Sequence, residues 1–225
     1  MNSDAIESQL RQIDFHSNPR TELVTVKWIP PVFRVIGLGT DAVVVQHPDL
    51  PDRVFKVFAS DRLHKKQAEA TVYKRLGNSP YFARLLGEGE NYLMISYEQG
   101  PTLYECLEQG IVIPEQVIQD VEAARAYARA RGLNPRDIHL KNVLLQDGRA
   151  KVIDVSEYMK PGDDGRWDYL VEGYRSYYDL IKGKKIPAWL MELVKKNYYM
   201  HGPGEISVAE FARRFLQLIG LSKRD

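Results

Sequence analysis

Asp137, Asn142 and Asp154 are the residues whose types and spacing could do chemistry together. They fall in one stretch, Asn134 to Asp154, reading NPRDIHLKNVLLQDGRAKVID. Its second half patterns as a hairpin. Val143–Gln146 and Ala150–Ile153 are short apolar runs, and Asp147-Gly148 between them suits a turn with positive φ. A two-residue turn brings strand ends together, so Asn142 and Asp154 finish as neighbours with Asp137 close by. Two carboxylates and an amide meeting in a loop make a hard-oxygen site suited to Mg²⁺, with one carboxylate left to steer a hydroxyl. A surface hairpin with ordinary Asp and Asn turn residues would read the same alone, so the surrounding elements must decide.

The bounds are broad. At 225 residues the chain can build one large core or two small lobes. Its 31 basic and 30 acidic residues nearly cancel, so net charge implies no nucleic acid or other polyanion. The single cysteine, Cys106, excludes an internal disulfide framework and suits a reducing compartment. No apolar run approaches the ~20 residues that cross a bilayer, and the first residues, MNSDAIESQLRQID, are unlike a secretory signal. The expectation is a cytoplasmic protein with no membrane segment.

Upstream elements supply further chemistry. The spacing of Ile6, Leu10 and Ile13 predicts a short helix over residues 5–15 that packs outside the first lobe, and Thr21–Trp28 reads as a strand. In VIGLGTDAVV, Gly37 and Gly39 let backbone amides approach phosphate oxygens with no Cβ in the way. A tight hairpin uses the same residues. A dinucleotide fold would continue into a helix, but Ala42–Gln46 is β-branched and apolar and reads as a strand. In RVFKVF, Lys56 shares a strand face with Val54 and Phe58. Ser60 is placed to cap the next helix and Gly77 to close it, and within it Glu69, Val72, Tyr73 and Leu76 share one face. A glutamate on an inward apolar stripe needs a cationic partner. Lys56 is one candidate, and Lys65 or Lys66 on a solvated edge are the others.

Phe82–Gly87 and Tyr92–Tyr97 read as two further strands, with Ser96, Tyr97 and Glu98 leading into a link. The rest patterns as helical. Pro114 suits a first turn, with Val117, Val121, Ala124 and Ala128 as a stripe. Trp167 starts a helix with Leu170, Tyr174, Tyr177 and Ile181 on one face, Pro187 opens another, and Ser207 with Glu210 caps the last, which presents Phe211, Phe215 and Leu218 up to Gly220.

Taken in order, Gly37-x-Gly39, Lys56, Glu69, Asp137, Asn142 and Asp154 resemble the protein kinase superfamily over roughly residues 32–183. The resemblance implies an α+β, bilobal fold, with a five-stranded antiparallel sheet and one helix in the first lobe and a reduced helical second lobe. The lobes would be 1–97 and 98–225, forming one domain. It also implies ATP and Mg²⁺. Asp137 would orient the substrate hydroxyl, Asn142 and Asp154 would hold the metal, and Lys56 braced by Glu69 would position the phosphates under Gly37 and Gly39. Val44, Val54 and Leu144 would sandwich the adenine, and Ser96, Tyr97 and Glu98 would offer backbone groups to it. The phosphoacceptor would be a protein serine or threonine, or a small hydroxylated molecule.

Departures from the family pattern carry information. His139 stands where serine/threonine kinases carry a lysine, and Lys141 is near enough in sequence to compensate. Pro135 replaces a bracing histidine, and Val155-Ser156 replaces Phe-Gly. Asp168, 14 residues after Asp154, resembles the aspartate that opens the family's central second-lobe helix and anchors the catalytic loop. So short a segment leaves no room for a peptide platform and gives Arg136 no phosphate to grip. The chain is thus similar to the compact branches of the superfamily, among them RIO-type kinases and small serine/threonine kinases of Bacillus-type bacteria. The competing class is a nucleotide-binding switch or scaffold without catalysis.

Overall fold

The computed structural model describes residues 3–19 and 22–192. Helix α1 (Ser3–Leu10) is followed by an antiparallel pair, β1 (Asp14–His16) and β2 (Thr25–Trp28). The helix expected through residue 15 ends at Leu10. Ile13 still reaches the core beside Ile6 and Leu10, from the chain leading into β1.

The main sheet contains β3 (Arg34–Leu38), β4 (Ala42–Gln46), β5 (Arg53–Phe58), β6 (Leu85–Glu88) and β7 (Tyr92–Ser96). All pairings are antiparallel, in the order β3-β4-β5-β7-β6. Strands β4 and β5 are covered on both faces, which explains their near-continuous apolar sequence. Val43, Val45, Phe55 and Val57 pack with α1 residues and Val24 on one side. Ala42, Val54 and Phe58 face helix α2 (Leu63–Leu76) and the second lobe on the other. Ser60 does not cap α2. Ser60–Arg62 forms a 3₁₀ turn, no side chain caps the helix start, and Gly77 closes the far end at φ 61°.

The second lobe begins with α3 (Leu103–Gln109), whose start is a reciprocal capping box between Thr102 and Glu105. Cys106 lies fully buried on its inner side. Helix α4 (Glu115–Arg129) starts directly after Pro114 and buries Val117, Val121, Ala124 and Ala128, the stripe expected of it. Strands β8 (Val143–Gln146) and β9 (Arg149–Val152) form the predicted hairpin, with Asp147 and Gly148 at φ 48° and 80°.

Asp120 on α4 holds that hairpin. Its carboxylate accepts from Arg149 at 2.7 and 2.8 Å and from the Ala150 amide at 3.0 Å. The Arg149 hydrogen bond draws its pKa down to about 2, with help from the Ala150 amide and against the effect of burial. The other end of the hairpin reaches the first lobe, where the Val152 amide donates to the Tyr81 carbonyl at 2.8 Å.

Helix α5 (Arg166–Ile181) buries Trp167, Val171 and Tyr178, with Leu170, Tyr174 and Ile181 partly covered. Tyr178, not the expected Tyr177, turns inward. Its hydroxyl accepts from the Ile113 amide at 2.6 Å, so a specific polar partner sets that position rather than periodicity alone. Residues 188–192 are helical after Pro187. The Ser207–Glu210 capping box and the Phe211, Phe215, Leu218 and Gly220 assignments lie outside the described residues. Among the described residues, no helix is long and apolar enough to cross a membrane.

Candidate active site

Lys56 is where it is because β5 is central. Both neighbouring strands flank it, so its side chain must run along the apolar face shared with Val54 and Phe58. Its ammonium therefore finds partners inside the protein. Lys56 Nζ donates to both Glu69 carboxylate oxygens at 2.7 Å and lies 3.7 Å from Asp154 Oδ1. Glu69 is 1% exposed, which a carboxylate tolerates only when paired. Burial works against charge on Lys56, yet Asp154 and Glu69 outweigh it and raise the ammonium's pKa. Burial also raises the Glu69 carboxyl, against the pull of Lys56. The rival partners are otherwise engaged, Lys65 with Asp41 at 2.7 Å and Lys66 with Glu88 at 3.6 Å.

This pair lines a cleft of about 810 Å³, within the range of small-molecule sites. Gly37, Gly39, Val44, Val54, Lys56, Glu69, Ser96, Tyr97, Glu98, Lys141, Asn142 and Asp154 all line it. Leu144 does not. It is buried in β8 opposite Thr102, while Ile153 is among the residues that line the cleft. A Cβ built on Gly37 meets nothing within 4 Å, so this backbone is left open to the space before it. At the hairpin tip, Asp41 is clasped by Lys65 and lies 3.3 Å from Arg62, which ties the glycine hairpin to the start of α2.

The hairpin brings Asn142 and Asp154 together as expected, with the Ile153 amide donating to the Asn142 carbonyl at 3.0 Å. Asn142 Nδ2 donates to the Asp137 carbonyl at 3.1 Å, which fixes the amide's orientation. Asp154 Oδ1 accepts from the Ser156 amide at 2.9 Å. Burial opposes its charge, but Lys56 and the Ser156 amide prevail and hold its carboxyl below the usual range. One ionised carboxylate beside one oriented amide fits a hard cation such as Mg²⁺ that shares its remaining positions with phosphates and water. No cluster of three or more His, Cys, Asp or Glu side chains suited to a metal occurs among the described residues.

Asp137 stands outside the cleft lining, at φ 57°, a conformation that aspartate tolerates better than most residues. Two residues that the sequence reading passed over hold it. The Asp137 amide donates to Asp164 Oδ2 at 2.7 Å, and its Oδ1 forms an ion pair with Arg166 Nη1. Burial pushes the Asp137 carboxyl up to about 6, although Arg166 opposes the shift. His139 Nε2 is 4.0 Å from Asp137 Oδ1. Lys141 points elsewhere, 4.3 Å above the Tyr104 ring and 3.7 Å from Glu192, and forms no ion pair with Asp137.

The anchoring role expected of Asp168 belongs to Asp164. Asp168 is 57% exposed and pairs with the buried Arg125 on α4 at 2.7 Å. The family resemblance assigned that role to Asp168 because it falls at the start of a helix. The usable signal was the Asp163-Asp164-Gly165 loop, because an aspartate before a helix can turn back to a nearby amide. The intervening segment is pinned by backbone. Asn134 Nδ2 donates to the Lys160 and Gly162 carbonyls at 2.7 and 2.6 Å, and Arg136 donates to the Pro161 carbonyl.

No family model matches this chain. Among curated proteins it is 34% identical, over 172 residues, to "Putative serine/threonine-protein kinase YrzF" of Bacillus subtilis (strain 168), covering 73% of this chain and 80% of that one. Among solved structures it resembles two variants of the Mycobacterium tuberculosis PknI kinase domain, at 21% and 20% identity and a TM-score of 0.46 for each. Both cover 69% of this chain, against 75% and 77% of theirs. With 34% of the aligned residues identical along 80% of the Bacillus subtilis protein, the chain belongs to the protein kinase superfamily.

Proposed function

We propose that this protein is an ATP- and Mg²⁺-dependent phosphotransferase that phosphorylates a hydroxyl group, with protein serine or threonine as the first acceptor to test. One observation carries the reading: Lys56 bridges Glu69 and Asp154 in the lining of a nucleotide-sized cleft that Asn142, Gly37 and Gly39 also line. A largely desolvated ammonium held between two carboxylates is costly as scaffolding alone and apt for positioning phosphates. In the reaction, the acceptor oxygen bonds to the γ-phosphorus as the bond from that phosphorus to the β–γ bridging oxygen breaks. Asp137 orients the hydroxyl and takes its proton, and ADP leaves. Bound Mg²⁺ would neutralise phosphate charge between Asn142 and Asp154. Positioning and charge neutralisation account for most of phosphoryl transfer, and these residues supply both.

The acceptor class rests on kinship with the Bacillus subtilis protein, whose name describes a serine/threonine kinase. The pinning of residues 160–162 by Asn134 and Arg136 supports activity without phosphorylation of this segment. A second reading, a nucleotide switch without transfer, draws on the placement of Asp137 outside the cleft lining. ADP release from Mg²⁺-ATP, with and without cell extract as an acceptor source, separates the two. Release that Asp137→Asn abolishes establishes transfer. Retained Mg²⁺-ATP binding with no release from the wild type in either condition favours the switch.

A further inference from the structure

Asp137 can orient a hydroxyl only if its own carboxylate is held in one rotamer, and the neighbouring basic side chains divide sharply in their ability to do that. Lys141 is drawn to Tyr104 and Glu192, and His139 Nε2 remains 4.0 Å away. Arg166 touches the carboxylate directly, through Nη1 on Oδ1. Its backbone belongs to the first turn of α5, and its amide donates to Asp164 Oδ1 at 3.3 Å. Its Nε lies 3.8 Å from Asp164 Oδ2, the same oxygen that receives the Asp137 amide. Asp137, Asp164 and Arg166 therefore close a ring that fixes both backbone and side chain of the loop. Arg166 takes Oδ1, and Oδ2 has no hydrogen-bond partner among the described residues.

From this geometry we infer that Arg166 is a positioning residue for phosphoryl transfer: it locks the Asp137 carboxylate with Oδ2 turned to the acceptor and supplies the positive charge at that end of the site. This deepens the phosphotransferase reading and rests on it. The guanidinium suits the task because its charge is permanent and its planar fork fixes direction as well as distance. A lysine keeps the charge and loses the fork. A methionine keeps most of the volume and loses both.

Three measurements on wild type, Arg166→Lys and Arg166→Met decide the matter: kcat and KM for ATP, melting temperature, and hydrogen exchange in residues 134–142. Loss of one preorganised charged donor predicts a fall in kcat of about 10²-fold in Arg166→Met. KM for ATP should stay within about twofold, because Arg166 does not line the cleft. Arg166→Lys should regain about tenfold of that loss, and exchange in 134–142 should quicken in Arg166→Met with little change in melting temperature. A rise in kcat on removing the guanidinium would make Arg166 an inhibitory latch and overturn the inference. So would equal losses in both variants that follow a fall in melting temperature, which mark a purely structural role. If the wild type releases no ADP, the phosphotransferase reading falls by itself. Exchange then tests the hold on the loop alone, and unchanged exchange in Arg166→Met overturns it.

Discussion

The two sides of the cleft are built on different plans. On the first-lobe side, Lys56 and Glu69 sit on a central strand and the helix packed over it, and strand register aims the ammonium at Glu69, with Asp154 beside it. On the second-lobe side, Asp137 sits in a loop and is held by Asp164 and Arg166, both at the start of a distant helix. The first plan follows from period-two and 3.6-residue patterns. The second depends on how a short loop folds back on itself. A pair fixed by regular structure tolerates little change, whereas a loop can hand the same duty to a different residue, as Asp164 does in place of Asp168.

The sharpest way to strain that contrast is Lys56→Met. It leaves Glu69 buried without its cation, so stability should fall by about 3 kcal/mol or more in chemical denaturation, with loss of ADP release. Adding Glu69→Gln should restore much of the stability and none of the activity, a non-additivity that a double-mutant cycle reads directly. The loop side should respond in activity before stability. Asp164→Asn weakens the acceptor for the Asp137 amide and should lower kcat about tenfold or more, whereas Asp168→Asn, on an exposed carboxylate, should leave kcat within about twofold. Equal effects from the two would erase the distinction drawn here.

The pH dependence should also separate the regions. The folded pKa of Asp137 is raised to about 6, above its unfolded value, so the native state keeps a proton that the unfolded chain releases. Its contribution to stability therefore falls as pH rises from about 4 through about 6. Its charged form, and kcat with it, should rise through the upper end of that window. Asp120 behaves in the opposite sense. With its folded pKa drawn down to about 2, its stabilisation is fully present above the unfolded value near 3.8 and is lost as pH falls through about 2. Asp120→Ala should loosen the β8–β9 hairpin from α4 and cost about 1–3 kcal/mol at neutral pH, read by thermal unfolding. Gly37→Ala should give the smallest effect. Its Cβ meets no atom, so stability should hold while ATP affinity drops a few-fold by titration.

How far the sequence reaches follows the same division. The hairpin at Asp147-Gly148, the inward Glu69 and the buried stripe of α4 were legible because each is dictated by a local period or a turn's φ requirement. Ser60 misled because a capping residue type does not force a cap, and a 3₁₀ turn took its place. The α1 reading overran because Ile13 keeps apolar spacing after the helix has ended. Tyr177 is a one-position problem. Which of two adjacent apolar residues turns inward depends on partners far along the chain, such as the Ile113 amide that fixes Tyr178. Arg166 was invisible for the same reason, since its value lies entirely in a contact across 29 residues.

Cys106 gives the molecule a built-in reporter. It is the only thiol, it is fully buried, and burial pushes its pKa up to about 11, so in the closed protein it is shielded and largely protonated. Its helix, α3, turns the opposite side, Tyr104, Glu105 and Glu108, to the cleft. The rate at which a thiol reagent labels Cys106 thus counts how often α3 lifts from the second-lobe core. A ligand that braces α3 from the cleft slows that clock about tenfold for each 1.4 kcal/mol it adds to the opening free energy, which allows occupancy of the cleft to be followed from a single atom on the far face of the helix.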